Sequence, residues 1–290
     1  MEKTQFTSIV ISGGALKTLS SIGCIQCLEE MNLTNKMRNF VGTSAGSIMC
    51  LFLVLGYTAN EIKQFIIEYV QRDDIARFNL DEVLNLLQSY GMNSGKNIER
   101  LVSEIIYKKI GIKDITFLEL AKITGKNLVV CVANITKEHE EFWSVDTTPL
   151  LNIIKAIRTS CSLPLLFTPV TYEECLYVDG GIYNNFPIDY FKDNKLKDIL
   201  GINIIGTVQI ETNNFVQYMT SLFHTIIKRL TKEHTTDQNK NIVSLQFEDE
   251  FWISLVDFKV SLTNDMLSNY ISFGYSNMKK LLEDTTNTYP

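Results

Sequence analysis

Val41-Gly42-Thr43-Ser44-Ala45-Gly46-Ser47 decides how this chain is read. Gly42-x-Ser44-x-Gly46 lies between a short strand expected at 39–41 and a long apolar helix expected from residue 45 to about residue 56. In that context a serine sits on a tight strand-to-helix turn with its hydroxyl exposed. Glycines at 42 and 46 remove side chains that would crowd the turn and the helix behind it. The helix N-terminus adds free N–H groups and the positive end of a dipole. A neutral hydroxyl is a weak nucleophile, so a base must come from elsewhere in the chain. Taken alone, the pattern also describes an ordinary small-residue turn.

Two further loops change that balance. Residues 6–11, Phe-Thr-Ser-Ile-Val-Ile, read as a buried strand running into Ser12-Gly13-Gly14-Ala15-Leu16-Lys17 and then a helix carrying Ile22, Ile25, Leu28 and Met31. Strand, glycine turn and helix point consecutive backbone N–H groups into one small space, as a developing oxyanion requires. A phosphate loop would look similar, but neither G-x-G-x-x-G nor G-x-x-x-x-G-K-[ST] is present. The third element is Tyr177-Val178-Asp179-Gly180-Gly181-Ile182, a carboxylate at a strand end in an open turn. Asp179 there suits a general base for Ser44, or an Asp-Gly turn with no further role.

Together the three segments resemble the patatin-like phospholipase family. The resemblance is carried by Ser12-Gly13-Gly14 with Lys17, Ile22-Gly23 and Leu28-Glu29-Glu30, then by Gly42-Thr43-Ser44-Ala45-Gly46-Ser47 with Leu55-Gly56-Tyr57. It continues through Ser160-Cys161-Ser162-Leu163-Pro164 and on to Pro169, and through Val178-Asp179-Gly180-Gly181 with Asn184-Asn185-Phe186-Pro187, covering roughly residues 6–190. It implies a Ser–Asp dyad hydrolase without a catalytic histidine. Ser44 would be the nucleophile and Asp179 the general base, with the amides of Gly13, Gly14 and Ala15 as the oxyanion hole. Gly42, Gly46, Gly180 and Gly181 would shape the motifs. The dyad chemistry needs no metal or cofactor. The family's third loop glycine is Ala15 here, and a later glycine is Thr18. A methyl at Ala15 is costly if the turn needs positive φ.

A Ser–His–Asp arrangement is the main enzymatic rival, and the chain has only His139, His224 and His234. His139 reads as the tip of an exposed hairpin, His224 as part of an amphipathic helix and His234 as part of a polar run at 232–240. None carries a flanking motif.

The net charge of −6 gives no whole-molecule reason to expect nucleic acid or an anionic membrane as partner. The start, Met1 to Gln5, is polar and shows no secretory signal. The longest apolar stretch, 48–56, is far short of the ~20 residues that cross a bilayer. Six cysteines without a secretory signal read as reduced core residues, and Cys24-x-x-Cys27 reads as helix packing rather than a metal or redox site.

Strands and helices alternate through the first two-thirds: strand 6–11, helix 18–31, strand 39–41, helix 45–55, a helix-rich stretch at 59–90, and helix 95–111. A short helix at 116–122, strands 128–134 and 141–145, helix 151–160, and strands 176–178 and 199–205 follow. This predicts an α/β fold, three layers around a mostly parallel sheet. One domain is expected, with a catalytic core at 6–205 and a C-terminal elaboration at 206–290. Residues 215–230 predict an amphipathic helix ending in Lys228 and Arg229, packed on the sheet or laid on a lipid surface.

The expected activity is hydrolysis of fatty acyl esters of phospholipids or lysophospholipids, in the cytoplasm, with peripheral contact to membranes or lipid droplets. A neutral-lipid lipase, a transacylase and a non-catalytic lipid-binding protein on the same fold are the alternatives. The motifs name neither an activating protein partner nor an oligomeric state.

Overall fold

The computed structural model describes residues 5–72, 89–191, 198–206, 241–247 and 262–287, with five further positions between 218 and 225. The expected helix at 215–230, the run 232–240, His224 and His234 lie wholly or almost wholly outside the described residues.

Strand β1 (Ser8–Ile11) leads through the glycine loop and a 3-10 turn (Ala15–Ser20) into α1 (Ser21–Glu30). Strand β2 (Asn39–Thr43) leads into α2 (Ala45–Val54), and α3 (Ala59–Arg72) follows. Next come β3 (Gly91–Asn93), α4 (Lys96–Ile110), α5 (Phe117–Thr124), β4 (Asn127–Asn134) and β5 (His139–Trp143). Helix α6 (Ile153–Ser160) precedes β6 (Leu165–Phe167), β7 (Val170–Tyr172) and β8 (Cys175–Asp179). Strands β9 (Ile199–Gly206) and β10 (Ile242–Phe247) and the long helix α7 (Asn264–Asn287) complete the described chain.

Where they fall on described residues, the strands and helices expected up to residue 205 recur with small shifts at the ends; residues 73–88 of the expected helix-rich stretch lie outside the described residues, and β3, β6, β7, β10 and α7 have no counterpart in the sequence reading. The expected helix at 18–31 opens as a 3-10 turn, and α1 begins only at Ser21. Helix α5 is held by a capping box between Thr116 and Glu119, and α6 by the Asn152 side chain accepting from Ile154 and Lys155 N–H. The segment from Tyr57 to Tyr69 is an outer helix packed inward, where Phe52, Tyr57, Phe65 and Tyr69 form a chain of edge-on and stacked rings.

The main sheet runs in the order β10-β9-β1-β2-β4-β8-β7, with β5 on β4. Strands β10, β9, β1, β2 and β4 are mutually parallel, while β5, β8 and β7 pair antiparallel. Period-two alternation divides the core between two faces. Ile9, Ile11, Phe40 and Val130 join a large cluster to which each of α1 to α7 contributes, while Val10, Val41 and Val129 pack against Phe186, Ile188 and Phe191. The sheet does not end at residue 206, since β10 pairs with β9 in register from Ile242 opposite Gly201 to Phe247 opposite Gly206.

The register of β4 places the site. One flank of β4 carries β5, from Val130 opposite Trp143 to Asn134 opposite His139. The other flank carries β2 as far as Thr43 opposite Cys131, and then at once β8, with Asp179 opposite Val132. The two strands therefore meet head to head, the last residue of β2 against the last residue of β8.

Helix α7 docks on α1 by direct backbone approach. A Cβ on Gly23 would lie 1.8 Å from Ile271 O, and one on Gly274 would lie 1.8 Å from Ser20 O. Gly274→Ala should therefore lower stability by about 1–3 kcal/mol through overpacking. The effect should appear as a reduced urea midpoint at unchanged slope. An unaltered midpoint would mean that α7 is free to shift on α1.

Candidate active site

Ser44 has φ 52° and ψ −131°, a conformation that costs a non-glycine residue of order 1–3 kcal/mol. Its surroundings over-determine it. Ser44 N–H donates to Ser160 Oγ at 2.8 Å, and that hydroxyl donates to Cys131 O at 2.7 Å. Ser44 O accepts from Ser47 N–H at 2.9 Å and Ser47 Oγ at 2.6 Å. Gly42 and Gly46 are required by close contact: a Cβ at 42 would lie 2.6 Å from Gly46 C, and one at 46 would lie 2.3 Å from Ile11 O. The elbow expected from the sequence is present, and β2 runs two residues further than expected, to Thr43.

Asp179 closes β8 and is 3% exposed. Its Oδ1 accepts from Gly181 N–H at 2.8 Å, and its own N–H donates to Ser162 O at 3.0 Å. Burial pushes its pKa up to about 6, while the hydrogen-bonding neighbours Ser44 and the Gly181 amide pull it back toward the charged form. Gly180 lies so close to β4 that a Cβ there would meet Cys131 O at 2.4 Å. The Cys161 thiol stands among Ser44, Ser47 and Asp179, and its burial holds it protonated.

The glycine loop packs directly on the elbow, since a Cβ on Gly13 would lie 3.1 Å from Ser44 Cβ. Gly13 N–H is already engaged, donating to Asn185 O at 3.1 Å. Among the described residues, neither Gly14 nor Ala15 N–H meets an acceptor. Ala15 has φ 49°, so the replacement of glycine noted in the sequence falls where an L-residue is disfavoured. Lys17 is buried, with its ammonium 5.5 Å from the Phe247 ring centroid.

His139 opens β5, half-exposed, with the Lys137 carbonyl and Glu141 as neighbours. All six cysteines are free and buried, including Cys24 and Cys27 on α1. Among the described residues no group of three or more His, Cys, Asp or Glu could hold a metal ion.

Three side chains that shape the site carry no role in the sequence reading: Ser160, whose Oγ holds Ser44 N–H, Asn185, whose Nδ2 donates to Gly13 O at 3.3 Å, and Arg158. The only sequence signal for Arg158 is an arginine that follows Ile157 in a largely apolar run, Ile153 to Ile157 with Lys155, just before Ser160-Cys161-Ser162.

The patatin-like phospholipase family model matches residues 9–192. A probable lipid hydrolase of Invertebrate iridescent virus 6 is 32% identical over 270 residues, covering 90% of each chain. A lysophospholipase of Candida albicans is 23% identical over 218 residues, 72% of this chain but 14% of its own length. Among solved structures, VipD from Legionella pneumophila superposes with a TM-score of 0.59 at 18% identity, over 97% of this chain and 67% of that one. The chain belongs to the patatin-like phospholipase family.

Ala15→Gly should relieve the positive-φ strain and gain up to about 1 kcal/mol, the glycine's greater unfolded-state entropy offsetting part of the 1–2 kcal/mol left-handed penalty. Thermal melts of the two forms check this. A less stable glycine form would show that the methyl packs well enough to outweigh the strain.

Proposed function

We propose that this protein hydrolyses fatty acyl esters of phospholipids or lysophospholipids through Ser44 and Asp179. The observation that carries the reading is a strained, half-buried serine beside a buried carboxylate whose proton affinity is raised to near neutrality. A carboxylate of ordinary pKa is a weak base toward a hydroxyl. One with a pKa near 6 accepts a proton more readily and is still ionised at pH 7.

In the proposed reaction Ser44 Oγ attacks the ester carbonyl carbon and its proton passes to Asp179. The oxyanion forms against the Gly14 and Ala15 N–H groups, because Gly13 N–H is held by Asn185. The positive end of α2 adds to that field. Collapse expels the lipid alcohol, which takes the proton from Asp179 and leaves an acyl group on Ser44. Water, deprotonated by Asp179, then releases the fatty acid. The substrate would be met at a lipid surface in the cytoplasm. Among the described residues no helix is long and apolar enough to cross a membrane. The lysophospholipase relative favours a phospholipid ester, and a fission-yeast relative named as a triacylglycerol lipase makes neutral lipid the arm to compare.

The test is fatty-acid release from a panel of phospholipid, lysophospholipid and triacylglycerol substrates. The parent should release fatty acid, and Ser44→Ala and Asp179→Asn should each lose on the order of 10³-fold or more. Release that survives Ser44→Ala would sink the mechanism. A triacylglycerol-only profile would replace the substrate class.

The pH dependence follows from the same carboxylate. The base must be ionised, so the rate should fall as pH drops through about 6. The stability effect has the opposite sense. The native pKa lies above its ordinary value of 3.8, so the native state binds this proton more tightly than the unfolded chain does. The buried charge therefore lowers stability at pH 7, and that penalty is relieved as pH falls from about 6 toward 4. Asp179→Asn should accordingly raise stability at pH 7–8 by about 2 kcal/mol, with the gain shrinking toward about pH 4. Denaturant melts across pH check this, and a gain independent of pH would exclude the buried charge as its cause.

A further inference from the structure

Arg158, in the last turn of α6, is 3% exposed and makes no ion pair among the described residues, although the charge of Glu99 on α4 favours its charged form. Its guanidinium donates only to neutral oxygens. Nε and Nη2 reach Ser94 O at 3.1 and 2.9 Å, Nη2 also reaches Thr168 O at 2.9 Å and Thr168 Oγ1 at 3.0 Å, and Nη1 donates to Ser162 Oγ. The Phe167 ring lies 5.7 Å from the guanidinium carbon. Room for the group exists because residue 95 is glycine, where a Cβ would sit 1.8 Å from Nε. A buried cation without a carboxylate hydrogen-bonded to it is a costly way to fill a core, and an apolar side chain of like volume would be more favourable. What a guanidinium supplies, and an apolar group or an ammonium does not, is a rigid planar fork that holds several acceptors at once.

The acceptors it gathers frame the site. Ser162 O receives Asp179 N–H, and two residues earlier Ser160 Oγ receives Ser44 N–H. Ser94 and Thr168 flank the small β3–β6 sheet, where Thr168 N–H donates to Asn93 O at 2.9 Å. Within the clamped segment Leu165 is held at φ 70°, a strained value for leucine that persists only where the surroundings impose it. We propose that Arg158 is a positioning residue for the Ser44–Asp179 pair, its guanidinium tying Ser94, Ser162 and Thr168 together so that Ser162 seats Asp179 against Ser44. This inference rests on the hydrolase mechanism proposed above.

Arg158→Lys keeps the charge but cannot span three sets of acceptors. Ser162→Ala removes the Nη1 contact together with the bond that Ser162 Oγ donates to Arg158 O at 2.9 Å, and leaves the carbonyl that receives Asp179 N–H. Each variant and the double variant are compared with the full-length parent in thermal melts and in the rate of Ser44 phosphonylation by a fluorophosphonate probe, between about pH 4 and 8. Amide hydrogen exchange at Asp179 is measured alongside. The probe forms an Oγ–P bond and expels fluoride, so it reports nucleophile activation without a lipid substrate. Among the described residues, the titratable groups that interact with Asp179 are Cys131 on β4 and Cys161 after α6, both held protonated by burial across this range.

Arg158→Lys should slow phosphonylation by on the order of 100-fold, as misplacement by about 1 Å does. Its acid limb should move down from about 6 toward ~4 as water reaches Asp179. Ser162→Ala should lose less, and the double variant should be no worse than Arg158→Lys alone. A variant that melts lower but reacts at the parental rate, with the limb in place, would reduce Arg158 to a structural residue and overturn the proposal. If the parent itself does not react, the hydrolase reading fails. Exchange at Asp179 then decides the clamp: faster exchange in Arg158→Lys supports the seat, and unchanged exchange overturns it.

Discussion

Strand β4 carries two strands in succession along one flank, and the geometry of the site depends on that shared edge. Strand β2 occupies the flank as far as Cys131, and β8 takes it over at Val132 from the opposite direction. A parallel and an antiparallel partner on one flank must meet carboxyl end to carboxyl end, which brings Ser44 and Asp179 together although they lie 135 positions apart in the chain. The carbonyl of Cys131, at the seam, accepts the Ser160 hydroxyl, and that hydroxyl accepts Ser44 N–H. The junction is thus closed by hydrogen bonds on each side rather than left as an open sheet end.

Two opposing demands are met at that seam. The serine backbone is held in a sparsely populated conformation, and the carboxylate is held out of water. Each raises the energy of the native state, and each persists only because rigid elements surround it. The two glycines of the elbow allow the turn to close onto β1, and Gly181 N–H offsets part of the desolvation of Asp179. Helix α7 contributes from further away. By contacting α1 through glycine at both Gly23 and Gly274, it fixes the helix that follows the glycine loop.

Much of the fold was legible in the sequence because strands and helices alternate with clear periodicity. A serine elbow, a glycine loop and an Asp-Gly turn each carry a local signature. The shift of α1 to Ser21 was not legible, because a 3-10 turn and an α-helix share the same apolar spacing over so short a run. Gly13 was expected to offer its amide to an oxyanion, and only the approach of Asn185, 172 positions away in sequence, shows that this N–H is engaged. Arg158 was not legible for a similar reason: beside Lys155 it is a second basic residue on a short amphipathic helix, and only the approach of Ser94, far away in sequence, and of Thr168 shows that its guanidinium is engaged.

By itself the sequence determined the family resemblance, the alternating α/β order and the residue types at the elbow, because those follow from local spacing and backbone tolerance. Tertiary structure alone decided which backbone amides are unengaged, that Ala15 sits at positive φ, and that Asp179 has a pKa near 6. Hydrogen-bond engagement and desolvation depend on which groups approach from distant parts of the chain, and no local pattern encodes that approach.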